Sequence, residues 1–174
     1  MSQYSLKPLD DAVASFQLMA GGLPIGEIRR EDVHAESLHL GERRYWLLHD
    51  ESAGGATLLA RWLGRLRLNR TYVLRDGDAE LARARRHWKA FGRRDWLEYR
   101  ASGDAQGIRI EAAGMLAGDI RLYRGEAEVG TMAIGGTFRD HISLQLDGFE
   151  PASAALLMLA VLRAWGNDPH VRHY

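Results

Sequence analysis

The chain contains no cysteine, so it has no disulfide, no thiol nucleophile and no thiolate zinc site. Lysine is almost absent: Lys7 and Lys89 are the only two. Lys+Arg and Asp+Glu are 23 each, which leaves no net charge to draw the chain towards nucleic acid or an anionic membrane. Four prolines and nineteen dispersed glycines form no linker, no low-complexity tract and no short-period repeat. Met1–Asp11 lacks a basic region followed by an apolar run, so it does not read as a secretory signal, and the expected location is the cytoplasm, including peripherally at a membrane surface. What the chain does have is 46% hydrophobic and 26% charged residues over 174 positions. Those figures fit one globular domain, residues 1–174, and exclude a disordered or fibrous chain.

The hydrophobic pattern is mostly of period two, the period of strands. Phe16 and Leu18 alternate with Ser15 and Gln17, and Ala20–Pro24 then reads as a hairpin loop leading to Ile25–Arg30. Leu38 and Leu40 precede a turn at Gly41-Glu42, with Tyr45–His49 returning. Arg65-Leu66-Arg67-Leu68 alternates cleanly. Tyr72–Leu74 runs into Asp76-Gly77, a tight-turn signal, and Glu80–His87 comes back from it. Ile108/Ile110, Ile120/Leu122, Val129–Ile134 and Ile142/Leu144/Leu146 continue the pattern. About a dozen short strands with short turns predict a mainly β fold, an antiparallel closed barrel or sandwich rather than βαβ units. Residues 1–14 are expected to be a loose N-terminal segment and 167–174 a polar tail.

One stretch departs from period two. Pro151–Trp165 is predicted as a helix, with Pro151 at its first position and Gly166 just past its end. Ala154–Leu162 presents no polar stripe, so every side of this helix must be enclosed. At about 1.5 Å per residue it is only ~22 Å long, short of the ~30 Å a bilayer core needs. No transmembrane segment is therefore expected. A barrel of about twelve strands is wide enough to hold the helix, because diameter grows with strand number.

The residues Asp140-His141-Ile142-Ser143-Leu144-Gln145-Leu146, followed by the apolar helix at about 151–165 and Gly166-Asn167-Asp168, resemble the Tubby C-terminal-like superfamily, which includes LURP-one-related proteins and phospholipid scramblases. Leu122–Gly130 and the hairpin Tyr72–Ala84 are similar to hairpins of the same families. The resemblance implies a twelve-stranded barrel around a C-terminal helix, and for some members phosphoinositide or calcium binding. This chain has no lysine-rich motif, and Asp147-Gly148-Phe149-Glu150 is too short for a calcium loop. What carries over is the fold, which does not by itself fix function.

Residues 61–100 are the most polarised stretch, with twelve basic residues against five acidic. Arg65 and Arg67 should share a strand face, as should Arg83 and Arg85. Paired guanidinium forks suit phosphate or carboxylate, so these four are the expected ligand-binding residues, for an anionic lipid headgroup or another acidic ligand. Opposed to this stands an ordinary solvated face of ion-paired arginines. Trp88, Phe91 and Trp96 among the arginines could stack single-stranded bases, yet core or rim packing is the commoner use of such aromatics, and nucleic acid is not expected. Tyr45, Trp88 and Trp96 are the aromatics that would serve a protein partner if the chain is an interaction or structural module. His34, His39 and His49 could meet across strands near Asp50, but their spacing does not demand a metal. There is no Gly-x-Ser-x-Gly elbow, and the Gly-rich stretches lack the Lys-Ser/Thr of a phosphate loop. The expectation is a non-catalytic binding module, with no catalytic residue, metal or cofactor.

Overall fold

The computed structural model describes residues 2–9, 15–32, 34–50, 71–87, 96–112, 119–135 and 141–165. Twelve strands form one closed antiparallel barrel: β1 (Gln3–Pro8), β2 (Ser15–Ala20), β3 (Leu23–Arg30), β4 (Ala35–Leu40), β5 (Arg43–Asp50), β6 (Thr71–Asp76), β7 (Ala79–His87), β8 (Trp96–Ala101), β9 (Ile108–Ala112), β10 (Asp119–Arg124), β11 (Ala127–Gly135) and β12 (His141–Leu146). Each strand pairs with its neighbours in the chain. β1 closes the ring on β12 through Gln3↔Gln145 to Leu6↔Ile142. Closure leaves no unpaired edge to template aggregation.

The segment 1–14, expected as a loose terminus, instead supplies β1. Tyr4 and Leu6 point into the barrel and are buried, and the alternation is short only because Lys7 and Pro8 follow at once. The expected strand around Arg65–Leu68 and the tail at 167–174 lie outside the described residues.

The helix, α1 (Pro151–Trp165), is where the apolar run placed it. Its first turn closes on the Glu150 carbonyl, which accepts from the Ala154 N–H at 2.9 Å. Ala152 and every residue from Ala154 to Leu162 are buried. The helix meets β1 and β12 on one side and β4 and β6–β8 on the other, so the wall surrounds it. Alternate strand residues, such as Leu6, Leu18, Leu38, Leu74, Leu97, Ile110, Leu122 and Leu144, point inward and are completely buried against it. At roughly 25 cal/mol per Å2 of apolar area, this joint core of wall and helix is the main stabilising term. No helix among the described residues is long and apolar enough to cross a membrane.

The end at which α1 starts is called lower here, and the end at which it finishes upper. Lower connections are short. Gly77 in the Asp76-Gly77 turn has φ +56°, a conformation that glycine adopts without steric cost. Three of the hairpins that turn at the lower end share one device. After Leu18, Leu74 and Leu122 the register slips by one residue, which leaves Ile25, Leu81 and Val129 as unpaired bulge residues. In each case a glycine follows the leucine by three positions (Gly21, Gly77, Gly125), and a small residue follows by eight (Gly26, Ala82, Gly130). A Cβ on Gly130 would lie 2.4 Å from the Gln145 carbonyl oxygen, and one on Gly26 would lie 2.5 Å from that of His39, so these two positions are small because a neighbouring strand passes close by. All three bulge residues are apolar and pack on the core, as expected where a bulge redirects a side chain.

Candidate functional site

Among the described residues the helix fills the lumen. The outer wall and the two mouths remain. On β7, Ala82 and Ala84 point inward and are buried, which turns Arg83 and Arg85 outward on one exposed face. Across the ladder, Arg83 lies opposite Arg100 of β8, and Arg85 lies opposite Glu98. Like charges directly opposite one another are unfavourable unless neutralised. Here the neutralising groups are carboxylates. Arg83 donates from Nε and Nη2 to the two carboxylate oxygens of Glu80, both at 3.0 Å, in a bidentate fork. Arg100 donates to Glu98 Oε1 at 2.6 Å. The other Glu98 oxygen lies 3.1 Å from His87 Nε2, and the His87 ring stacks on Trp96 with centroids 4.0 Å apart.

Arg85 differs from both of its neighbours. It forms no ion pair and no hydrogen bond among the described residues. It lines a groove of about 670 Å3 together with Arg83, Arg100, Glu80 and Glu98, closed at its lower end by residues 102–105. That loop is stiffened by Asp104, whose Oδ1 accepts from the N–H groups of Gln106 at 3.0 Å and Gly107 at 3.4 Å. These two backbone bonds hold the Asp104 carboxyl below the usual carboxylate range.

Of the four arginines expected from sequence, Arg83 and Arg85 therefore share a face and a groove, while Arg65 and Arg67 lie outside the described residues. Arg100 completes the cluster. The sequence contained its signal, since Arg100 alternates with the inward Tyr99 on the strand next to Arg83 and Arg85, but pairing of β7 with β8 was needed to see it.

The other candidates fall in different places. Tyr45, expected as an exposed partner contact, is a core residue at 8% exposure, because it shares the inward face of β5 with Leu47. Trp96 is half-buried on His87, and Trp88 and Phe91 lie outside the described residues. His39 and His49 lie on opposite faces of the wall: His39 points outward to the Ser37 hydroxyl at 3.1 Å, and His49 points into the upper lumen. Among the described residues no three metal-ligating side chains converge.

His49 belongs to a cluster the sequence reading did not assemble. Glu36 of β4, His49 of β5 and Arg163 of α1 meet inside the upper mouth, with Tyr72 edge-on to the imidazole at 5.2 Å. The Arg163 guanidinium donates to the Glu36 carboxylate and lies against the His49 ring. The His49 Nε2 is 3.3 Å from the second Glu36 oxygen. Side-chain exposures of 11%, 4% and 7% for Arg163, Glu36 and His49 put this cluster out of reach of a substrate. Its chemistry is that of a buried charge pair holding the end of the helix.

Compared with known proteins, the chain matches no family model, no curated sequence and no solved structure.

Proposed function

We propose that this barrel is a non-catalytic binding module whose outer β7–β8 wall takes an anionic ligand, such as a phospholipid headgroup. The observation that carries the reading is Arg85, an exposed guanidinium without an ion pair among the described residues, in a groove beside Arg83 and Arg100. Two of the three arginines are already held in position by carboxylates, so their guanidinium groups are pre-oriented, which lowers the entropy cost of binding. The filled lumen supports an external site. The resemblance to the Tubby C-terminal-like superfamily, with its LURP-one-related and scramblase-like members, bears on the fold alone; a place in the cytoplasm at a membrane surface is part of the proposal and rests on the arginine groove.

The test is sedimentation with vesicles of phosphatidylcholine containing phosphatidylserine, across a salt series. Binding should weaken as salt rises, since exposed charge pairs are screened over about 8–10 Å at physiological ionic strength. Arg85→Ala should weaken it about fivefold, and Arg83→Ala/Arg85→Ala further, on the scale of about 1 kcal/mol per exposed charge contact. Vesicle binding that ignores salt, or is unchanged in the double variant, would overturn the assignment. A protein-interaction module is the second reading, favoured by Trp96, which is held flat on His87 at the upper rim. It requires that Trp96→Ala abolish self-association or partner capture while vesicle binding stays at background.

A further inference from the structure

The lower mouth carries a larger cleft than the arginine wall, about 810 Å3 against about 670 Å3. Its floor includes the buried rings of Tyr45 and Tyr99. Leu81, Val129 and Phe149, all half-buried, give it an apolar lining. Leu81 and Val129 are two of the three bulge residues, so the same irregularity in two hairpins brings an apolar side chain to this cleft. Bulges at barrel rims that redirect side chains are a recurrent feature of binding sites, and barrel mouths are a recurrent place for small-molecule sites.

The rim charges can be assigned one by one. Arg124 faces Asp104 at 3.7 Å. Asp147 accepts from the Ser2 backbone N–H at 3.0 Å. Arg43 lies beside the Tyr45 hydroxyl and feels the fields of Asp76 and Glu150. Asp76 and Glu150 are exposed and form no ion pair among the described residues. The start of α1 brings its positive dipole end to the same mouth, and the carboxylates of Asp147 and Glu150 offset it. The cleft is thus an apolar hollow whose rim carries two exposed carboxylates, Asp76 and Glu150, that share the field of Arg43 and form no ion pair among the described residues.

We infer that the lower mouth binds a small organic amine, with the apolar body on Leu81, Val129 and Phe149 and the ammonium on Asp76 and Glu150. A ligand here and a ligand on the β7–β8 wall are held by different residues and opposite charges, so each can fail without the other.

The test is an NMR titration of the isotope-labelled full chain with phenethylamine, using 2-phenylethanol and 3-phenylpropionate as neutral and anionic probes of the same body. Phenethylamine should give saturable shifts at the amides of Val129, Phe149 and Leu81. It should bind about fivefold more tightly than the alcohol, the gain expected of an exposed charge contact, and the propionate should bind more weakly still. Asp76→Asn/Glu150→Gln exchanges exposed groups of equal size, so the fold survives; it should reduce the amine to the affinity of the alcohol. Arg83→Ala/Arg85→Ala should leave amine binding unchanged. No saturable shift, equal affinity for amine and alcohol, an unaffected carboxylate variant, or shifts confined to β7 and β8 would each overturn the inference.

Discussion

The two ends of the barrel hold the same helix by different physics. At the lower end the hydrogen bonds beside the helix start are between neutral groups. Tyr4 donates its hydroxyl proton to the Phe149 carbonyl at 2.8 Å, and Tyr99 pairs with the Ser153 hydroxyl. The chain turns back there through short connections with glycines at positive φ. At the upper end Arg163, the one charged residue of α1, is packed on the buried Glu36 and on His49. Residues 10–14, 51–70, 88–95, 113–118 and 136–140 lie outside the described residues. A helix C-terminus presents unpaired carbonyls and a negative dipole end, so a cation in its last turn is favourable, whereas the lower end is met by carboxylates and hydroxyls. The contrast teaches that a wholly apolar helix still needs polar groups at its two ends. The cost of failure should be larger at the upper end, where a charge would be stranded.

The sharpest break of the comparison is Arg163→Met. It leaves the Glu36 carboxylate buried without its cation and should cost about 3–5 kcal/mol in denaturant unfolding. Adding Glu36→Met to Arg163→Met should recover most of that loss, because no charge then remains buried alone; a double variant no more stable than the single would show that the pair is not the reason. Next in size is Gly130→Ala near the lower end. The added methyl meets the Gln145 carbonyl and Leu146, and about 1–3 kcal/mol should be lost. Gly135→Ala, with nothing within 4 Å at the upper end of the same strand, is the control and should be near neutral. Tyr4→Phe removes one neutral hydrogen bond at the lower end and should cost about 1 kcal/mol, well below Arg163→Met.

The smallest effect is one of pH. Burial pushes the Tyr99 phenol above its ordinary value of about 10, with the Ser153 hydroxyl acting in the opposite direction. The unfolded chain therefore ionises first. The folded state binds more protons between the two values, and stability should decline as pH rises from about 10 through the folded value. Tyr99→Phe should flatten that alkaline limb of the stability curve while leaving stability at neutral pH within the cost of one hydrogen bond.

Most of the barrel was legible because its signals are local. Period-two alternation located β2–β7 and β9–β12, and an apolar run without a polar stripe could only be an enclosed helix; β8 (Trp96–Ala101) was not read as a strand, because Trp96 stood out only as an aromatic among arginines. β1 escaped because Tyr4 and Leu6 offer two apolar positions before Lys7 and Pro8 interrupt, and what makes β1 a strand is pairing with β12, more than a hundred residues away. Tyr45 was misplaced by reading an aromatic as surface when its alternation with Leu47 pointed inward. The Glu36–His49–Arg163 cluster had a signal that went unused. Glu36 and His49 each sit on the apolar face of their strands, and Arg163 is the only charge in the helix. Joining them required closure of the barrel over 114 and 127 positions of sequence separation. The candidate site was half legible. Alternation paired Arg83 with Arg85, but only cross-strand register brought Arg100 and the neutralising carboxylates beside them.

The claim on which the external sites depend is that the wall sheathes α1 on all sides. Native-state amide hydrogen exchange measures it directly. If the helix is enclosed, the amides of Leu156–Val161 should exchange only through global unfolding, with the same opening free energy as the amides of β6 and β12. Exchange of those helical amides through a local opening that leaves the strands protected would show that α1 leaves the barrel on its own, and would contradict the account.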